Sequence, residues 1–336
     1  MIWWLPLEKI DQRYTEQTFK IIHRNFTHIF GSSNFECIDG IELNSSSSLN
    51  PSQFLDPVGT MFYKSSQILK VCSLIHRNLI KDGDTFFVDD IWFPGLISLK
   101  YIFDFNKLNV LLTGILHAGS HTPSDDVATL IGQKIKGFER SIIDCCSSVF
   151  VGSRFHYQEL CQYHSTIFKN VHVTGLVVDT SNIINSVKWT DRKNQIIFPG
   201  RLHYEKGYNV IKNLEKILPV DIKIIKTHEL DLNKLDYYNL LSNSKLVLLP
   251  AIQENFGYAI IEAVAAGCNI LVPNRAVYSE FYDKVCLYDP KISLLELYDK
   301  IKFNLCTPQR WKKNKFLLYV NGGIRRITNV LLKKTN

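Results

Sequence analysis

The sequence predicts an α/β chain made of two doubly wound, Rossmann-like halves facing a cleft. Short apolar runs with β character alternate with helix-length amphipathic segments, the signature of parallel sheets. The length, 336 residues, exceeds the ~100–200 of a typical domain. The alternation lapses in the polar, aperiodic stretch DTSNIINSVKWTDRKNQ at residues 179–195. In such an architecture ligands sit beyond the carboxyl ends of the strands.

In the first half, strands are expected at residues 2–6, 35–38, 85–88, 110–115, 147–151 and 171–173, with helices near 15–30, 60–79, 95–103, 127–144 and 154–163. The opening MIWWLPLEKIDQRYTEQ has no basic leader and soon gains charge, so it reads as a first strand rather than a signal peptide. The serine run at 45–48, followed by Asn50 and Pro51, reads as a loop. Beyond a linker at 179–194, strands are expected at 195–198, 222–225, 245–249 and 269–272, with helices near 208–217, 235–242 and 258–266. The domains then run 1–178 and 195–306. A basic helical segment, 307–336, is expected to pack back on the first domain.

Hydrophobic residues at 46% and charged residues at 21% are ordinary for a soluble globular chain with a real core. No apolar run approaches the ~18–20 residues of a membrane span. The eight cysteines form no CxxC pair, and Cys72, Cys145 and Cys268 lie inside apolar patterns. They read as buried free thiols in a reducing, cytoplasmic compartment, and a zinc site is not expected. The net charge of +7 is uneven: eight basic residues and no acid lie beyond Gln309, leaving −1 for everything before them. Such a segment suits phosphate-rich partners, nucleic acid or anionic lipid. Equally, it can be a solvated helix face.

Two motifs in the second half carry chemistry. In IIFPGRLHYEKGYNV, residues 196–210, a buried strand ends at Pro199-Gly200, where Gly200 permits a sharp turn. Arg201 and Lys206 follow, and Gly207 opens a helix. A strand, a turn, two cations and a helix start make a place for an anion, Arg gripping two phosphate oxygens and Lys acting as a point charge. Exposed cations beside a turn are, however, often simply solvated.

In LVLLPAIQENFGYAIIEAVAAGCNILVP, residues 246–273, an apolar strand ends at Pro250 and Glu254 stands in the following loop. Phe256, Gly257 and Tyr258 lead into a helix bearing Glu262, small-sided through Ala259, Ala263, Ala265 and Ala266 and closed by Gly267. Packing explains the alanines and Gly267, but not two glutamates eight residues apart around a helix start. A carboxylate at the junction can accept two sugar hydroxyls, and one in the helix can hold a ribose diol. The amides of the helix start face the diphosphate between them.

The frame E-x-FG-x4-E-A-x-A-x-G resembles the C-terminal domain of GT-B glycosyltransferases, in particular the large retaining family (group 1, family-4-like) that includes sucrose synthases and many lipopolysaccharide and glycan mannosyl- and glucosyltransferases. PGRLHYEKG is similar to that family's GR-x3-EKG segment, and NRAVYSEFY at 274–282 to the stretch after its next strand. The resemblance implies donor binding by Gly200, Arg201, Lys206, Thr227, Glu254, Phe256, Gly257, Tyr258 and Glu262. Arg201 and Lys206 would take the diphosphate, Glu254 the transferred sugar and Glu262 the ribose. Only 47 residues separate Lys206 from Glu254, fewer than the family usually has, so the base-binding region is trimmed to Lys226, Thr227, His228 and their neighbours.

In the first half, VFVGSRFHYQEL (149–160) and VTGLVVD (173–179) resemble the segments that close the family's N-terminal domain, but its glycine-rich turn after the first strand is missing. In its place stands LPLEKIDQRYTEQ, with Glu8, Arg13 and Tyr14. This segment, VDDIWFPG (88–95) and LHAGSHTPSDD (116–126) resemble parts of phage-encoded glycosyltransferases linked to modified DNA bases. His117 matches a position where the family often has a histidine near the transferred sugar, and it is taken as catalytic together with Arg201, Lys206 and Glu254. Glu8, Arg13, Asp90, His121 and Asp125 are the candidate acceptor contacts, all near strand ends. The alternatives are a packing turn at 92–95, a surface loop at 121–123 and Asp125 as a helix N-cap.

The resemblance implies a metal-independent hexosyl- or pentosyltransferase that retains anomeric configuration, with a nucleotide-diphosphate sugar as co-substrate and no cofactor. A hydroxylated base of phage or viral DNA is the acceptor that the basic tail and the N-terminal segments suggest, with DNA as a partner and the host cytoplasm as location. A saccharide or lipid-linked acceptor is the alternative, the tail then making peripheral membrane contact. A non-catalytic nucleotide-sugar or nucleic-acid binding protein is a third reading, opposed by the joint presence of Arg201, Lys206, Glu254 and Glu262.

Overall fold

The computed structural model describes residues 1–10, 14–43, 56–93, 95–123 and 126–335. The chain divides into two units, Met1–Val178 with Gly322–Asn336, and Asp179–Asn321.

The first unit runs β1 (Ile2–Leu5), α1 (Tyr14–Phe30), β2 (Phe35–Cys37), α2 (Pro57–His76), β3 (Thr85–Val88), α3 (Gly95–Phe105), β4 (Leu111–Ile115), α4 (Asp126–Leu130), α5 (Lys136–Cys145), β5 (Ser148–Val151), α6 (Arg154–His164) and β6 (Val171–Val173). Its sheet is parallel in the order β2-β1-β3-β4-β5-β6. β1, β3 and β5 are buried at every position, as strands covered on both faces must be. The two tryptophans of β1 point to opposite faces. Trp3 Nε1 donates to Asp84 just before β3 at 2.9 Å, and Trp4 Nε1 to Asp89 just after it at 2.6 Å. Helix α2 starts earlier than the periodicity suggested, because Asp56 caps Val58 N at 3.1 Å and Pro57 takes the first helical position. The long helix expected at 127–144 is broken at Gly132, whose φ is +62°.

The second unit runs β7 (Lys193–Phe198), α7 (Tyr208–Glu215), β8 (Lys223–Lys226), α8 (Lys234–Ser242), β9 (Ser244–Leu248), α9 (Tyr258–Ala265), β10 (Asn269–Pro273), α10 (Tyr278–Phe281), β11 (Leu287–Tyr288), α11 (Leu294–Cys306) and α12 (Lys313–Asn321). Its sheet, β11-β10-β9-β7-β8, is also parallel. Each unit therefore steps from its first strand to one neighbour and then back across to the other. The reversal leaves a crevice at the carboxyl ends of β1 and β3 in one unit, and of β7 and β9 in the other.

Three expectations need correction. Residues 179–194 are not a free linker but part of the second unit. Buried Arg192 there donates to Asn185 Oδ1 at 2.6 Å, Ala266 O at 2.8 Å and Ser244 O at 3.2 Å. The basic segment 307–336 is not one body: α12 groups with the second unit, whereas α13 (Gly323–Thr335) groups with the first. Gly323 lies so close to Leu176 that a Cβ would stand 2.0 Å from its carbonyl oxygen, and Arg326 Nε donates to Thr174 O at 2.6 Å. The cysteines are all free, but only Cys146, Cys268 and Cys286 are buried, and Cys306 is exposed.

A polar network lies inside the first unit. Glu139 of α5 accepts from Ser120 N at 2.6 Å, His121 Nδ1 at 3.1 Å and His164 Nε2 at 2.9 Å. His121 Nε2 meets His156 Nε2 at 2.7 Å, one of the two carrying the proton. Burial opposes ionisation of Glu139, but the donors outweigh it and hold the carboxyl at about 2. Burial, reinforced by His121, keeps His156 well below its ordinary 6.5.

Both groups bind more protons unfolded than folded, so acid destabilises the unit. The loss from His156 begins as pH falls below 6.5, and that from Glu139 runs from 4.5 down to about 2. The melting temperature, followed by circular dichroism, is expected to fall steadily with pH below 6.5. In Glu139→Gln the dependence between pH 4.5 and 3 should be shallower by up to one proton, about 1.4 kcal/mol per pH unit. An unchanged slope would contradict the assignment.

Candidate functional site

The crevice of the second unit depends on the close approach of two connections. After β7, a Cβ on Gly200 would stand 2.8 Å from both Leu249 and Phe198, so no other residue fits there without displacement. Gly207 precedes α7 with φ +74°, and a Cβ there would lie 2.1 Å from Pro250 O. The β7–α7 connection thus lies directly on the β9–α9 connection, and Ile252 N donates to Glu205 O at 2.7 Å.

That contact assembles the charges. Lys206 Nζ lies 3.2 Å from Glu254 Oε2 and 3.7 Å from Glu205 Oε1, and Glu205 also pairs with Arg201. Glu254 Oε1 accepts from Gly257 N at 3.1 Å, just ahead of α9. Burial pushes the Lys206 ammonium down, but Glu254 and Glu205 outweigh it and raise it above its ordinary value. It is therefore cationic throughout the neutral range. Two cations and two carboxylates balance at this point. A guanidinium carries five N–H donors and an ammonium three, so both can take phosphate oxygens beside their carboxylates, facing the amides of the α9 start.

Glu262, one turn into α9, is buried, and its Oε1 accepts from Lys234 Nζ at 2.7 Å and Tyr238 Oη at 3.1 Å. Thr227 follows β8, its hydroxyl 3.5 Å from Phe198 O at the end of β7. Tyr258 is the half-buried first residue of α9. The ring of Phe256 is buried against Tyr258 and Phe281, at centroid distances of 5.2 and 5.7 Å, which leaves its backbone to face the crevice. The structure thus gathers Gly200, Arg201, Lys206, Glu254 and Gly257 at one crevice. It adds three residues that the sequence reading did not single out: Glu205, Lys234 and Tyr238. Glu205 stood inside the quoted EKG segment. The spacing of Lys234 and Tyr238 marks one face of α8 but nothing in it points to Glu262.

In the first unit, Glu8, Asp89, Asp90 and His117 follow β1, β3 and β4 at the corresponding crevice. Lys64 of α2, buried and not anticipated, reaches Asp90 Oδ2 and Trp92 O, both at 3.2 Å. Glu8 Oε2 accepts from Thr60 Oγ1 at 2.9 Å, and burial raises its carboxyl. His117 Nε2 lies 2.9 Å from Asp89 O, with its ring 5.5 Å from that of Tyr14, and burial lowers its basicity. Burial also lifts Asp89 to about 7, against the hydrogen bonds from Trp4 and Leu7 N. His121 is corrected twice. It is neither a surface loop nor an acceptor contact, but a buried member of the Glu139 network. Arg13 and Asp125 lie outside the described residues. Among the described residues, no group of three or more His, Cys, Asp and Glu is placed to hold a metal ion.

No family model matches the chain. It is 30% identical over 227 residues to the O-antigen chain mannosyltransferase RfbU of Salmonella typhimurium, covering 65% of this chain and 60% of that protein. Over 98 residues it is 31% identical to the tRNA-queuosine alpha-mannosyltransferase of Drosophila melanogaster, covering 29% of this chain and 25% of that protein. The chain thus matches less than two thirds of either relative's length. Among solved structures, sucrose-phosphate synthase of Thermosynechococcus elongatus is similar with a TM-score of 0.69 at 10% identity, over 99% of this chain and 98% of that one. Anabaena HepE in complex with UDP and glucose is similar with a TM-score of 0.64 at 13% identity, over 98% and 94%. The fold is that of the GT-B glycosyltransferases, two α/β domains each built on a parallel sheet.

Inorganic pyrophosphate is expected to raise the melting temperature, since a ligand at a hundred times its Kd adds about 2.7 kcal/mol. Combining Arg201→Gln with Lys206→Met should abolish that shift. A full shift in the double variant would place the anion elsewhere.

Proposed function

We propose that the chain is a nucleotide-sugar-dependent glycosyltransferase, a hexosyltransferase that retains anomeric configuration. The observation that carries this reading is the meeting of Arg201, Lys206 and Glu254 at the start of α9. The names of both relatives and the UDP-and-glucose complex of HepE support it. Arg201, Lys206 and the α9 amides take the diphosphate, Glu254 the hydroxyls of the sugar and Glu262 the ribose. The bond between the anomeric carbon and the phosphate oxygen breaks as negative charge gathers on the diphosphate, which the two cations stabilise. The acceptor oxygen bonds to that carbon from the same face, and its proton leaves with the departing phosphate oxygen. This route needs no protein nucleophile, metal or cofactor.

The favoured acceptor is a saccharide, free or lipid-linked, because the longer of the two alignments is to an O-antigen chain mannosyltransferase. The support for phage DNA from the basic tail is weaker in the folded chain. Its basic residues divide between the two units, and Lys313 and Arg326 are turned onto the backbone carbonyls of Cys268 and Thr174. A nucleic-acid acceptor retains one favouring observation, the tRNA-queuosine alpha-mannosyltransferase among the relatives.

A thermal-shift screen of UDP-glucose, UDP-N-acetylglucosamine and GDP-mannose is expected to single out one donor. Glu254→Gln should then lower kcat/KM by about 10–100-fold, the worth of hydrogen bonds to a charged group. Undiminished turnover in that variant would refute the site assignment. The acceptors separate by salt: nucleic-acid binding weakens steeply between 50 and 200 mM salt, on the order of a thousandfold for several phosphate contacts, whereas transfer to a neutral saccharide does not.

A further inference from the structure

Glu262 is held from behind. One of its oxygens, Oε1, takes both Lys234 Nζ and Tyr238 Oη, residues one turn apart on α8. The start of α8 is itself fixed, with the Asn233 side chain accepting from Asp236 N at 2.9 Å. Lys234 Nζ stands 5.3 Å and 5.4 Å from the ring centroids of Tyr237 and Tyr238, which limits where the ammonium can go. The Glu262 side chain is only 8% exposed and that of Lys234 24%. A carboxylate this enclosed needs a compensating partner, and two donors on one oxygen fix the plane of the other.

We propose that Lys234, assisted by Tyr238, is the positioning residue that presents Glu262 to the ribose of the nucleotide donor. The ammonium and the phenol satisfy Oε1 within the protein, and Oε2 receives the diol. This rests on the reading of Glu262 as the ribose ligand. It makes ribose recognition a property of a lysine far from the sugar and diphosphate contacts in sequence.

The test uses the full chain and calorimetric binding of ADP, GDP and UDP, each compared with its 2′,3′-dideoxy counterpart. The wild type is expected to prefer the ribose form of its cognate nucleotide by about tenfold or more. Lys234→Met should lose most of that preference while binding the dideoxy form as the wild type does. Lys234→Arg should restore it, and Tyr238→Phe, which keeps the ring, should show a smaller loss in the same direction. In turnover, Lys234→Met should raise KM for the donor about tenfold with kcat changed less than about twofold. A wild-type preference that survives in Lys234→Met overturns the role of Lys234 alone. A wild type that does not distinguish the two forms, or binds none of them, overturns the ribose reading of Glu262 and the proposal with it.

Discussion

In both units the first strand is flanked by the strands that follow it, one on each side, and that reversal is the constraint on which the rest depends. Parallel strands need crossover helices, and where successive crossovers leave in opposite directions nothing covers the strand ends between them. In the second unit the uncovered ends belong to β7 and β9. Their two connections then pack against each other, because Gly200 and Gly207 leave no room for side chains between them. Lys206 is thereby carried to Glu254 across 48 positions of sequence. Glu205 keeps both cations in place, its buried carboxylate shared by Arg201 and Lys206. The local geometry thus follows from the sheet order, and the charge balance from the geometry.

The first unit uses its polar groups differently. Its crevice holds carboxyls whose proton affinity burial has raised, Glu8 and Asp89, beside a buried Lys64 and a histidine made less basic by burial. The histidine-rich network around Glu139 lies in the same unit but serves its interior: Ser120, His121 and His164, which donate to Glu139, all belong to that unit.

Much of the architecture was legible because its signals are local. Apolar runs such as 86–88 and 149–151 lie in strands buried at every position, as strands covered on both faces must be. The residues gathered at the crevice of the second unit were legible because glycines and charges stand at fixed offsets around two strand ends. What escaped is what long-range packing decides. The two-residue strand β11 has no periodicity to read, and it is a strand only because it pairs with Val272 and Pro273. His121 looked available beside a strand end, but the burial of Glu139 draws it inward. Lys64 and Lys234 carry no local signal, and only the fold turns them onto Asp90 and Glu262. The segment 179–194 is polar because Arg192 and Asn185 close the ends of a strand and a helix, not because it lacks structure.

The placement of α13 bears on how the chain matures during synthesis. The second unit is an uninterrupted stretch, Asp179–Asn321, and its two ends are tied by reciprocal hydrogen bonds: Thr180 N to Asn321 Oδ1 at 3.1 Å, and Asn321 Nδ2 to Thr180 Oγ1 at 2.9 Å. It can therefore complete its contacts as soon as Asn321 leaves the ribosome. The first unit begins earlier but waits longer, because α13 is translated after the whole of the second. Until then Leu176 and the carbonyl of Thr174 lack the helix that covers them. Domains usually complete folding in the order they are made, and here the order of completion is inverted.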